Sequence, residues 1–207
     1  DYQPPYTITP DILNLVAAIS ETVGRLTVLT DQAGTLRLRR ASRIRTIHGS
    51  LAIEGNTLTE AQITAVLNGK RVIAPPRDVL EVHNALAAYE HFQSWKPESE
   101  QDLLEAHRIL MSGLIAEAGM YRTGGVGVMA GTQVIHMAPP AGRVPHLMAD
   151  LFDWLAATTV HPLIAGAVFH YEFEFIHPFA DGNGRMGRLW QSLILARWNP
   201  LLADIPV

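Results

Sequence analysis

A chain of 207 residues, 48% of them hydrophobic, is long enough for one globular domain with a substantial core. Its formal charge of −4 offers no general attraction to nucleic acid or to an anionic membrane, and no stretch approaches the roughly 18 uninterrupted apolar residues of a spanning helix. The absence of cysteine excludes disulfides and thiolate metal sites and suits a reducing compartment, so a cytoplasmic location is expected.

Asp1 to Thr9 reads as an extended lead-in. Thr9-Pro10 has the form of an N-cap followed by the first helical residue, which predicts a helix to about Leu29 with Ile12, Leu15, Val16 and Ile19 on one face. A second helix is predicted from about Thr35 to Ile47. Its arginines (Arg37, Arg39, Arg40, Arg43, Arg45) are spread around it and read as a solvated or ion-paired face. Ser50 to Asn56, S-L-A-I-E-G-N, has the form of a helix end. Ile53 would pack, Glu54 would be solvated and Gly55 would be the left-handed residue. Thr59 and Gln62 form a capping pair for a short helix that Gly69 stops. A longer helix is expected over Asp78 to Trp95 with Leu80, Ala87 and Phe92 inward. Another, capped by Ser99, should run to about Ala116. His83, His91 and His107 on these helices have no partner at ligand spacing and read as packing or surface residues. Gly119 to Pro140 then changes character. Val126, Val128 and Met129, followed by Val134, Ile135 and Met137, make two short β-like runs around Ala130-Gly131-Thr132, a hairpin pattern. These glycines do not form G-x-G-x-x-G, and no βαβ pattern surrounds them. Helices are predicted over Val144 to Ala157 and from Pro162 to about Phe175, the latter with Ala165, Phe169, Phe173 and Ile176 on a central apolar face.

The densest chemistry follows, at His177 to Arg188: H-P-F-A-D-G-N-G-R-M-G-R. Gly-rich backbone entering a helix presents unpaired N–H groups and the positive dipole end, a ready anion site. Arg185 and Arg188 add charge at neighbouring helical positions. Asp181 is a hard oxygen ligand of the kind Mg²⁺ accepts beside phosphate, and His177 is a titratable base at the mouth of the loop. His170, Glu174 and His177 could share a helix face as zinc ligands, but they do not form H-E-x-x-H and Pro178 ends the helix, so a metallohydrolase is the weaker reading.

The stretch resembles the signature of the Fic family, H-P-F-x-D/E-G-N-G-R-x-x-R, with every specified position matched. The resemblance implies an all-α Fic fold, a bundle of about eight helices with one β-hairpin flap. It also implies AMP transfer from ATP to a Ser, Thr or Tyr hydroxyl of a target protein, with Mg²⁺ as cofactor. In that scheme His177 is the base and Asp181 holds the metal. Gly182, Asn183, Gly184, Arg185 and Arg188 bind ATP and its phosphates. Ser50, Glu54 and Gly55 match the family's inhibitory motif S/T-x-x-x-E-G/N, whose glutamate would pair with Arg188 in cis; the same glutamate also removes AMP in some members. Val126, Gly127, Val128, Met129, Val134 and Ile135 would form the flap that holds an extended target segment by strand addition. Residues 1–207 would be a single Fic region, with N-terminal helices over 1–76, the inhibitory helix near 41–54 and the core over 77–207. The first residue, Asp1, and the abrupt ending suggest a chain truncated at its C-terminus. Expected partners are ATP and an unidentified target protein, with self-modification and a homodimer compatible; neither membrane nor nucleic acid is expected through this region. The alternatives are a nucleotide-binding regulatory module and a Fic transferase with another phosphate-containing donor.

Overall fold

The computed structural model describes residues 2–29, 32–130 and 133–204; side chains at 29–38, 128–136 and 204 fall outside that description. Eight α-helices carry the described chain: α1 (Pro10–Leu29), α2 (Gln32–Ile53), α3 (Glu60–Leu67), α4 (Pro76–His91), α5 (Glu100–Leu110), α6 (Val144–Ala157), α7 (Pro162–Ile176) and α8 (Asn183–Trp198).

The core gathers on α7 and α8. Phe169, Phe173 and Ile176 from α7 meet Met186, Leu189, Trp190 and Leu193 from α8, and Val82, Leu103, Met148 and Leu151 close around them from α4, α5 and α6. Phe169, Phe173 and Trp190 are fully buried, and each such side chain contributes about 1.5–3 kcal/mol by leaving water. Trp190 donates its indole N–H to Pro97 O at 2.8 Å, so its one polar atom is satisfied.

Local signals set several boundaries. Thr59 and Gln62 form the expected capping box on α3, and the Ser99 hydroxyl accepts from Asp102 N on α5. The second helix runs six residues further than its periodicity suggests, to Ile53, where Asn56 N donates to Leu51 O and Gly55 N to Ala52 O. Those two bonds, with Gly55 at φ 91°, are a Schellman end. Ile53 is 69% exposed, so it does not pack as expected. The α5 helix ends at Leu110, short of Ala116, because turns take over through Leu114. The stripe expected on α1 is not in the core: Leu15 and Ile19 are exposed and only Val23 is buried, since α1 lies outside the α7–α8 cluster.

The expected fold class is corrected to a helical domain without the flap. Among the described residues no strand enters the core. The segments β1 (Gly127–Ala130) and β2 (Gln133–Met137) pair only with each other, antiparallel, with a register shift between Val128 and Met129. Gly127 and Met137 are exposed, and the side chains of Val128, Met129, Val134 and Ile135 lie outside the described residues. Two strands of this length bury too little apolar surface to form a layer of their own.

Candidate active site

The motif begins with an unusual backbone. Pro178 cannot continue a helix, so α7 stops at Ile176 and His177 caps it in the left-handed conformation, φ 50° and ψ 62°. It is the one non-glycine with positive φ among the described residues. That turn sets the imidazole beside Glu174. Its Nδ1 lies 3.4 Å from Glu174 O and 3.9 Å from Glu174 Oε2. No group of three His, Cys, Asp or Glu able to hold a metal ion occurs among the described residues, so His170, Glu174 and His177 do not gather as zinc ligands.

Buried side chains hold the loop in place. Arg122, 3% exposed, donates to His177 O at 2.7 Å, Ile176 O at 3.2 Å, Pro139 O at 2.6 Å and Gly124 O at 2.9 Å. A cation at the C-terminal carbonyls of α7 is favoured by the helix dipole. Burial lowers the pKa of this guanidinium from its ordinary value. Phe179 is fully buried and stacks on His107 with ring centroids 3.6 Å apart. Gly119 N donates to His107 Nδ1 at 2.9 Å, which makes Nδ1 the acceptor and leaves Nε2–H to donate to Asp181 O at 3.0 Å. Burial holds His107 neutral, its pKa lowered to about 4.

Asn183 opens α8 and is buried. Its amide accepts from Phe179 N at 2.9 Å and donates to Phe179 O at 2.8 Å, so its side chain is spent on closing the loop. The expected anion contact therefore falls to backbone N–H groups at the start of α8. Gly182 caps that helix at φ 85°, and a Cβ there would lie 2.6 Å from Met111 Sδ, which explains the glycine twice over.

The two motif arginines have different surroundings. Arg185, 5% exposed, lies between Glu81 Oε1 at 3.3 Å and Asp181 Oδ1 at 3.4 Å. Arg77 bridges the same two carboxylates, 3.5 Å from Glu81 Oε1 and 3.6 Å from Asp181 Oδ2. Arg188 is held from α2: its Nε donates to Ser50 Oγ at 3.0 Å and its Nη2 to Ser50 O at 3.0 Å and Glu54 Oε1 at 2.7 Å. The Glu54 carboxylate lies over Gly184, where a Cβ would be only 2.5 Å away. Thus Ser50, Glu54 and Gly55 belong to an ordinary helix end from which Ser50 and Glu54 also meet the motif, so Glu54 is not simply solvated.

Arg122, Glu81, Asn56 and His107 as loop-holding residues escape a reading of the sequence. A signal exists for two of them: Glu81 is in phase with buried Ala85 and Ala88, and His107 with buried Leu103 and Leu110.

Comparisons place this geometry among known proteins. A family model described as Fic/DOC family matches residues 97–195. A protein adenylyltransferase Fic of Nematostella vectensis is 34% identical over 184 residues, covering 80% of this chain and 41% of that protein. A Fic family protein of Desulfovibrio desulfuricans G20, known from a crystal structure, superposes with a TM-score of 0.95 at 65% identity, over 99% of this chain and 63% of that one. Fic-1 of C. elegans superposes with a TM-score of 0.72 at 29% identity, over 91% of this chain and 60% of that one. The chain therefore spans about two fifths of the first relative's length and under two thirds of these two solved neighbours.

Proposed function

This chain belongs to the Fic/DOC family, and on that footing we propose that it transfers AMP from ATP to a Ser, Thr or Tyr hydroxyl of a protein, releasing pyrophosphate. The observation that carries the reading is the clamp on Arg188. A free guanidinium beside a helix N-terminus is suited to a phosphate, and here Ser50 and Glu54 take up that fork.

In the proposed reaction His177 accepts the proton of the target hydroxyl as its oxygen attacks the α-phosphorus. The new P–O bond forms as the bond to the β-phosphate oxygen breaks, and pyrophosphate carries away the electron pair. A positioned base of this kind contributes about 10²–10⁴-fold. The left-handed turn at His177 and the Arg122 bond to its carbonyl fix the backbone that carries the imidazole, which is partly exposed. Backbone N–H groups from Gly182 to Gly184 receive the charge that develops on the phosphates. Arg185 steadies Asp181, and Arg188 takes the γ-phosphate once Glu54 withdraws.

Asp181, 43% exposed at its side chain, fits Mg²⁺, which needs one or two carboxylates and completes its shell with phosphate oxygens and water. When bound there the ion would neutralise phosphate charge. The chain's own contribution is to hold that carboxylate through Gly182 N at 2.6 Å and Arg185. Glu54 in place leaves ATP able to bind with its phosphates misplaced, which is inhibition in cis. The same carboxylate is a candidate for aligning water to remove AMP.

No helix among the described residues is long and apolar enough to cross a membrane. The test is label transfer from α-labelled ATP with Mg²⁺, in self-reaction and in lysate. We expect Glu54→Gly to incorporate label, and adding His177→Ala to reduce it by about 10²–10⁴-fold. ATP binding without any transfer by Glu54→Gly would turn the reading to a nucleotide-sensing module or another donor.

A further inference from the structure

The turn that carries Glu54 and the loop that carries Asp181 meet on one buried carboxylate. Glu81 of α4 is 7% exposed. Its Oε2 accepts from Asn56 Nδ2 at 2.9 Å, and its Oε1 faces Arg185 at 3.3 Å and Arg77 at 3.5 Å. Asn56 is itself 9% exposed and stands two residues after Glu54. Its Nδ2 also reaches Asp78 O at 3.1 Å, and its Oδ1 accepts from Leu58 N at 3.1 Å. The neighbouring Thr57 donates from both N and Oγ1 to Asp78 Oδ2, at 2.9 and 2.6 Å.

The consequence is geometric. The Schellman end leaves Glu54 on a two-residue turn with no side-chain contact to α4 among the contacts described. What fixes that turn laterally is the residue that follows it. On the far side of the same carboxylate, Arg185 is fixed, and with it Asp181. Glu81, Arg185, Asp181 and Arg77 form a closed ring of alternating charge, with separations of 3.3, 3.4, 3.6 and 3.5 Å around it. A buried carboxylate is stable only while its partners stay, so both partners are held in register.

We propose that Glu81 is a positioning residue shared by the inhibitory turn and the phosphate-binding loop, and that Asn56 is the latch through which it holds Glu54 on Arg188. The inference rests on the transferase reading above. On it, inhibition depends on Asn56 only because Asn56 places Glu54. Asn56→Asp keeps the shape and the acceptor for Leu58 N. It removes the amide donor and sets a second carboxylate against Glu81.

The test is a cycle of self-labelling rates for the parent, Asn56→Asp, Glu54→Gly and the double variant. Losing a hydrogen bond to a charged acceptor should raise the rate of Asn56→Asp above the parent by about tenfold or more. In the Glu54→Gly background the same change should give no such rise, because the latch has no glutamate left to place. A merely structural residue would instead lower the rate in both backgrounds, and that result, or no change from the parent, would overturn the proposal. Glu81→Gln in the Glu54→Gly background should raise KM for Mg-ATP by about tenfold while kcat changes less; an unchanged KM would remove Glu81 from the role. If Glu54→Gly transfers no label, the transferase reading fails by itself. The latch is then judged by amide exchange over residues 51–58, where faster exchange in Asn56→Asp supports it and unchanged exchange overturns it.

Discussion

Arg185 and Arg188 stand three residues apart on one turn of α8 and live in different solvents. Arg185 is 5% exposed and faces two carboxylates at 3.3 and 3.4 Å, distances of charge pairing without close bonding. Arg188 has a side chain 19% exposed and makes three bonds of 2.7 to 3.0 Å to Ser50 and Glu54. The better-formed contact is thus the one nearer water. Breaking it returns both ions to a solvent that can hydrate them, whereas breaking the buried one strands a carboxylate. The floor of the site is a structural commitment and its rim can be rearranged, which is what an inhibitory contact requires.

Changes to floor and rim should separate by size. Arg185→Met should cost most, about 3–5 kcal/mol in urea denaturation, because Glu81 would be left buried beside half its former charge partners. A loss below 1 kcal/mol would mean water already reaches this ring, and the contrast with Arg188 would collapse. Arg122→Met should cost about 3 kcal/mol, since it leaves four carbonyls at the His177 turn without their donor.

Glu174 works in the opposite direction. Burial raises its pKa, with the charges of His170 and Arg188 lowering it and that of Glu54 raising it again; His177 faces it at 3.9 Å. The folded chain therefore keeps this proton to higher pH than the unfolded chain does. Stability is fully present below the unfolded carboxyl's range and is lost as pH rises through the raised folded value. Glu174→Gln should accordingly stabilise the protein at pH 7, above the unfolded carboxyl's range, and flatten that part of the pH profile, read by urea denaturation across pH. The smallest effect belongs to the rim: Glu54→Ala should change unfolding stability by less than about 1 kcal/mol, the range of partly exposed pairs. A larger loss would make Glu54 a structural residue and count against the proposed inhibitory role.

Much of this site was legible in the residues. The spacing of His177, Asp181, the glycines and the two arginines announced an anion-binding turn, and S-L-A-I-E-G-N announced a helix end. The same seven residues carried both meanings, because a Schellman turn is compatible with a carboxylate pointing outward from it. The sequence presents Asn183 as a phosphate contact, yet its amide closes on Phe179. One residue type serves either task, and only the path of the loop decides.

The order of helices, their caps and the chemistry of the motif were determined by the sequence alone, because capping, periodicity and the Pro178 stop act within a few residues. The left-handed turn at His177, the neutrality of His107, the burial of Arg122 and the sharing of Glu81 were decided by the tertiary structure. Their causes are desolvation, which helical phase signals only for His107 and Glu81, and partners such as Asp181 for His107, His177 for Arg122 and Arg185 for Glu81, which local sequence does not name.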